Sequence, residues 1–289
     1  SLRNLRRLLH IARTLARHDA LVALGELDIA KPARIATRLL IVRKIPGISA
    51  KRPGERLSLA LQALGPAFIK LGQVLSVRVD LIGEEMAADL SMLQDRLPPF
   101  TGAEAIQTIE AEFDRPLEEI FVTFDPEPVA AASIAQVHRA VTEDGAERAV
   151  KVLRPGVDAA FQRDLDLLRW LAALAERNQP ALKRLKPVEV VETLADTVAM
   201  ELDLRLEAAA ADELRGNFDN DPDFIVPAID WTRTARRVLT TDCIDGVQLH
   251  DRAALESHGH DPEAVVASLA RAFFLQDFRD GFFHADLHP

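Results

Sequence analysis

The chain has 289 residues, 48% of them hydrophobic and 28% charged, with a net charge of −10 and a single cysteine, Cys243. This composition excludes a disordered chain and supports one large domain or two modest ones. It also excludes an intrachain disulfide, which points to a reducing compartment. The charge is uneven: residues 1–56 hold 13 Lys/Arg against 4 Asp/Glu, and the rest of the chain carries −19. An acidic chain with one basic arm argues against a nucleic-acid partner.

The first segment, "LRNLRRLLHIARTLARHDAL", places Leu5, Leu8, Leu9 and Leu15 near one helical face and Arg3, Arg6, Arg13 and Arg17 largely elsewhere. Such a helix can lie on anionic lipid, or it can be an ordinary surface helix resting on its own domain. The longest uncharged run, Leu57 to Ile69, is short and contains Gly65-Pro66, so no membrane span is expected. The opening lacks a signal-peptide core and starts with Ser, so the numbering is expected to begin inside a longer product.

Residues 53–99 read as consecutive helices. Gly65-Pro66 separates two of them, Gly83 ends the second, Glu84 and Glu85 suit the next N-terminus, and Pro98-Pro99 stops the run. A helix near 103–113 follows, and then the pattern changes. "IFVTFD", "VAAASIAQVHRAV" and "ERAVKVLRP" read as strands, with Glu143-Asp144-Gly145 turning between the last two. Two helices, about 157–177 and 188–216, precede a strand pair at "FIVPAID" and "RRVLTTDCI". His250 to His260 reads as a loop, and a helix capped by Asp261 runs from Pro262 towards Asp280, ending at Gly281.

Several residues on these elements can carry chemistry. Lys151 sits in an otherwise apolar strand after an Ala-Val pair and a hairpin, the arrangement that delivers a lysine to nucleotide phosphates. The preceding run from Ala130 through Ala131, Ala132 and Ser133 to Gln136 is small enough to let backbone approach phosphate oxygens, and alanine makes such a turn stiffer than glycine would. Without Lys151 the same run would be read as tight packing. Glu201, Asp203 and Glu207 follow on a helix, and one of them could hold a strand lysine in register; spacing does not choose among the three. Lys70 and Gln73 lie one turn apart around Gly72, a mid-helix glycine that costs about 1 kcal/mol relative to alanine.

The chain closes on "FFHADLHP". His284, Asp286 and His288 could suggest zinc, but no second cluster completes a shell. The better match is the kinase catalytic loop, with Asp286 as the residue that receives a hydroxyl proton.

In combination, "FIKLGQVLSVRVDLI", "AAASIAQVH", "AVKVLRPGV", "ELD" and "FFHADLHP" resemble, in order, the motifs of the UbiB family. These are atypical protein-kinase-like proteins that support ubiquinone (coenzyme Q) biosynthesis. The resemblance implies an α+β, atypical protein-kinase-like fold with an N-terminal helical extension and a truncated C-terminal lobe. It divides the chain into residues 1–100 (helical extension), 101–245 (kinase-like N-terminal lobe) and 246–289 (start of the C-terminal lobe). It implies ATP and Mg²⁺ as cofactors, with Lys151 on the α/β-phosphates, Glu207 paired with it, Ala130 to Ser133 covering the nucleotide and Asp286 as the catalytic-loop aspartate. Lys70 and Gln73 would lie over the active site, and Glu201 and Asp203 would meet that extension or help manage phosphate and metal. The main metal ligands would fall beyond Pro289, so no metal site is expected within residues 1–289 and the fragment is expected to be inactive.

The expected activity is that of an ATPase or phosphotransferase, cytoplasmic and peripheral to the inner membrane. Its expected partners are ubiquinone-pathway proteins or lipid intermediates, with the basic N-terminal segment on the membrane surface. The rival readings are a small-molecule phosphotransferase of the aminoglycoside or choline kinase type and a non-catalytic nucleotide- or lipid-binding scaffold.

Overall fold

The computed structural model describes residues 2–20, 43–77, 79–91, 98–178, 183, 186–249 and 251–283. These residues group into two compact units. One comprises Ser1–Pro99, Ala131–Ala135 and Arg154–Ala199; the other comprises Phe100–Ala130, Gln136–Leu153 and Met200–Pro289.

The first unit is helical. It contains α1 (Leu2–Arg17), α2 (Pro53–Leu64), α3 (Pro66–Ser76), the single turn α4 (Val79–Ile82), α5 (Glu84–Ser91), α6 (Val157–Asn178) and most of α7 (Pro187–Glu201). Gly65, at φ 108°, lets the chain turn sharply between α2 and α3, and Pro66 starts the new helix where its missing N–H costs nothing. The Arg52 N–H donates to Glu55 across the first turn of α2 at 2.8 Å. Gly54 is required beside it, because a Cβ there would lie 2.5 Å from that of Asp89, which is buried on α5 and ion-paired with Arg52.

Leu61, Phe68, Ile69, Leu90 and Leu167 form the centre of this unit's core, each burial contributing about 1.5–3 kcal/mol. Ile11 is buried in the same core and Leu15 packs against it, so part of the apolar face of α1 is already covered. Arg7 clamps the assembly. It makes a two-pronged pair with the buried Asp164 at 2.7 and 2.8 Å, donates to the Leu64 carbonyl at 3.1 Å and lies over the Phe68 ring. These contacts explain why α6 groups with the N-terminal helices.

The second unit is built on an antiparallel sheet in the order β1-β3-β4-β5, with β2 attached to β3. The strands are β1 (Thr123–Phe124), β2 (Ala130–Ala131), β3 (Ala135–Val141), β4 (Glu147–Leu153) and β5 (Val238–Asp242). Gly145, at φ 81°, and Asp144, which accepts from the Thr142 hydroxyl at 2.6 Å, close the β3–β4 hairpin. Val150 and Val152 face inward on β4 and pack with Val238, Ala140 and Ile109 of α8 (Gly102–Phe113).

 The apolar alternation of β4 leaves Lys151 on the opposite side from Val150 and Val152, in register with Leu239 of β5. Helices α9 (Leu204–Asn217), α10 (Arg252–Ser257) and α11 (Pro262–Phe274) complete this unit, and α11 runs on into a π-helical turn, Leu275–Asp280, that ends at Gly281.

The elements differ from the sequence reading in five places. "IFVTFD" pairs only through Thr123–Phe124, because Ile120 and Phe121 are buried in the core beneath α8. "VAAASIAQVHRAV" is two strands, separated by a tight turn in which the Ala132 N–H donates to the Ala135 carbonyl at 2.8 Å. The helix expected over 188–216 breaks at Leu202-Asp203, where Asp203 caps α9. "FIVPAID" contributes only an isolated bridge from Ile229 to Thr241, and the loop expected over 250–260 contains α10, capped by Asp251.

Candidate functional site

Lys151 and Glu207 are brought together. The lysine Nζ donates to both carboxylate oxygens, at 2.7 and 2.8 Å. Both side chains remain partly exposed, at 31% and 48%. An ion pair so open to water adds only about 0.2–1 kcal/mol to stability. Its effect is geometric: it holds the ammonium in one place on the sheet.

The backbone around the pair explains why it forms. The Leu153 N–H at the end of β4 donates to the Arg237 carbonyl at 3.0 Å, and the Leu204 N–H at the start of α9 donates to the Arg236 carbonyl at 2.9 Å. Leu204 and Ala208 are buried, which fixes the rotation of α9 and turns Glu207 outward. Asp203 caps the helix by accepting from the Arg205 N–H at 3.2 Å, and its carboxylate takes a two-pronged bond from the Arg205 guanidinium at 2.8 and 2.6 Å. That guanidinium holds the Asp203 carboxyl below the usual carboxylate range, against the opposing effect of burial. Glu201 is half-buried at the last position of α7.

Ala130 and Ala131 form β2, Ala132 begins the tight turn, and Ser133 is buried within it. Lys70 and Gln73 belong to the helical unit, half-buried on α3 on either side of the buried Gly72. Lys151, Glu201, Asp203 and Glu207 belong to the sheet unit. Asp286, with His284, His288 and His250, lies outside the described residues.

Sequence reading missed a buried polar chain in the sheet unit. Gln136 bonds the Phe100 backbone in both directions: its Oε1 accepts from the Phe100 N–H at 3.1 Å and its Nε2 donates to the Phe100 carbonyl at 3.2 Å. The same Nε2 meets His138 Nε2 at 2.8 Å, which makes that ring nitrogen the acceptor, so Nδ1 carries the proton and donates to the Asp125 carbonyl at 2.8 Å. Burial pushes the His138 pKa down, against the pull of that carbonyl and of the Asp125 and Glu127 charges. Two polar residues at alternate positions of "AQVH" on an inward strand face were the available signal.

A groove of about 300 Å³ lies elsewhere on the sheet, lined by Phe124, Asp125, Arg139, Glu147 and their neighbours, and includes none of the residues selected from sequence. Among the described residues no group of three or more His, Cys, Asp or Glu side chains could hold a metal ion. No described helix is long and apolar enough to cross a membrane.

Comparison with known proteins places these features in a context. Residues 92–289 match the family described as the ABC1 atypical kinase-like domain. A probable protein kinase UbiB of Marinobacter nauticus is 43% identical over 287 residues, covering 99% of this chain and 52% of the relative. A probable protein kinase UbiB of Azotobacter vinelandii is 45% identical over 252 residues, covering 87% of this chain and 47% of the relative. The chain thus spans about half the length of these curated relatives. A solved structure of Rv3197 in complex with erythromycin, from Mycobacterium tuberculosis, superposes with a TM-score of 0.57 at 25% identity, covering 92% of this chain and 62% of that one. The mixed helix and antiparallel-sheet architecture is therefore kinase-like.

Proposed function

Because the chain belongs to the ABC1 atypical kinase-like family, we propose that the protein it represents binds ATP with Mg²⁺ and cleaves the terminal phosphate in support of ubiquinone biosynthesis. The observation that carries this reading is the two-pronged bond from Lys151 to Glu207. A strand lysine tethered to a helix carboxylate presents a fixed positive charge to the α- and β-phosphates. The small-residue segment from Ala130 to Ser133, strand β2 and the start of the tight turn after it, is assigned to cover the nucleotide. Mg²⁺, when bound, would neutralise charge on the phosphate oxygens; the described residues offer no cluster for it.

In the reaction, an acceptor hydroxyl or water attacks the γ-phosphorus and the bond to the bridging β-phosphate oxygen breaks. Asp286, matched to the catalytic loop by "FFHADLHP", takes the proton of the attacking oxygen. By the resemblance of "FIKLGQ" to the family's K-x-G-Q motif, Lys70 and Gln73 are given the role of excluding a protein substrate. That leaves water or a small hydroxyl compound as acceptor, so ATP hydrolysis is favoured over protein phosphorylation.

We place the protein in the cytoplasm at the periphery of the inner membrane, with ubiquinone-pathway proteins or lipid intermediates as partners. Support comes from α1, whose exposed residues Arg6, His10, Arg13 and Arg17 form a strip along the helix. With Ile11 and Leu15 engaged in the core, attraction to anionic lipid would be mainly electrostatic.

The test uses the full-length gene product, followed for Mg²⁺-dependent phosphate release, with Lys151→Met and Asp286→Asn as controls. A screen of small hydroxyl compounds runs beside it. Turnover lost in both variants supports the reading. Turnover that survives Lys151→Met, or efficient phosphorylation of added proteins with Lys70 intact, refutes it.

A further inference from the structure

The sequence motif Glu201-x-Asp203 suggested carboxylates that handle phosphate, metal or the helical extension. The structure gives Asp203 another occupation. Its Oδ1 accepts from both the backbone N–H and the Nε of Arg205, at 3.2 and 2.8 Å, and its Oδ2 accepts from the second guanidinium nitrogen at 2.6 Å. Its own N–H donates to the Met200 carbonyl at 3.2 Å, and its carbonyl accepts from the Leu206 N–H at 3.0 Å. Its backbone is extended, at φ −121° and ψ 91°, as an N-cap requires. The carboxylate is therefore charge-neutralised and shared between one amide and one guanidinium.

We propose that Asp203 is a positioning residue that acts through Glu207 on Lys151, and is not a ligand to phosphate or metal. The break it caps falls just after the chain passes from one compact unit, at Ala199, into the other, at Met200. An uninterrupted helix would tie the orientation of Glu207 to that of α7. By ending α7 and starting α9 afresh, the cap lets the sheet unit alone set Glu207. The Leu204 N–H bond to Arg236 and the burial of Leu204 supply the anchoring. Arg205 keeps the cap ionised and pinned.

This assignment rests on the nucleotide-binding reading above, and the experiment separates the two. Asparagine and serine cap helices nearly as well as aspartate, whereas alanine does not. In the full-length protein, Asp203→Asn, Asp203→Ser and Asp203→Ala are compared by titration with a fluorescent ADP analogue at several Mg²⁺ concentrations. Amide hydrogen exchange over Arg205–Ala208 is measured on the same samples. The Asn and Ser variants are expected to bind within about twofold of the parent, and the Ala variant about fivefold more weakly, with an unchanged Mg²⁺ requirement. Exchange should accelerate only in the Ala variant. If Asn is as damaging as Ala, or raises the Mg²⁺ requirement, the carboxylate acts on the ligand and the proposal is overturned. If the parent binds no nucleotide, the functional reading fails, and exchange alone decides the cap: acceleration in Ala only sustains it, and equal exchange in all variants overturns it.

Discussion

Replacing Lys151 with methionine should separate stability from binding. The ammonium is 31% exposed and its carboxylate partner 48% exposed, so losing the pair removes only about 0.2–1 kcal/mol of folding stability. Methionine keeps most of the aliphatic stem that lies on β4, which limits any packing loss. The nucleotide should respond differently. A charged hydrogen bond to a phosphate contributes about 1.5–3 kcal/mol, which corresponds to roughly a 10- to 150-fold loss of affinity. Glu207→Gln should weaken binding less, because the amide oxygen still accepts from the ammonium. The assays are urea unfolding of each variant and titration with a non-hydrolysable ATP analogue. A midpoint shift equivalent to more than about 2 kcal/mol, or unchanged affinity in Lys151→Met, would show that the pair is a structural tie.

Arg7→Ala should be among the more damaging changes in the helical unit. It strands the buried Asp164 carboxylate and costs about 3–5 kcal/mol, read as a lower urea midpoint; Arg7→Met with Asp164→Leu should recover much of it. Gly54→Ala forces a methyl into the side chain of Asp89 and should cost about 1–3 kcal/mol, measured by thermal unfolding. The folded state favours neutral His138, so its contribution is complete above the unfolded pKa of about 6.5 and fades as pH falls from there towards the lowered folded value. Urea midpoints should drop over that window, and the slope should flatten in His138→Asn. Charge reversal at Arg6, Arg13 and Arg17 should abolish salt-sensitive sedimentation with anionic liposomes; retained binding would count against the electrostatic account of membrane attachment.

The helices between Pro53 and Ser91 were legible because Pro, Gly and Glu mark their ends within the sequence. The hairpin carrying Lys151 was legible for a similar reason: "EDG" closes it and apolar alternation fills it. The strands before and after it were overestimated, since β-branched runs such as "FIVPAID" satisfy their propensity largely in loops and core contacts, with a single bridge from Ile229 to Thr241 as its pairing. Long-range effects were hidden. Nothing local in residues 157–178 says that their helix packs with α1, because the bond from Arg7 to Asp164 spans most of the unit's sequence. The break at Asp203 was also missed, because its neighbours are good helix formers and only the extended backbone of the cap reveals it. Among Glu201, Asp203 and Glu207, spacing left the partner of Lys151 undecided, and the observed contact is with Glu207.

The strand end that carries Lys151 and the helix start that carries Glu207 hang from adjacent peptides, the carbonyls of Arg237 and Arg236. Main-chain oxygens are the same whatever side chain stands there, so positions 236 and 237 can drift in sequence without disturbing this mutual spacing. Intolerance is transferred to the donors: proline at 153 or 204 would delete an N–H and let one end swing away from the other.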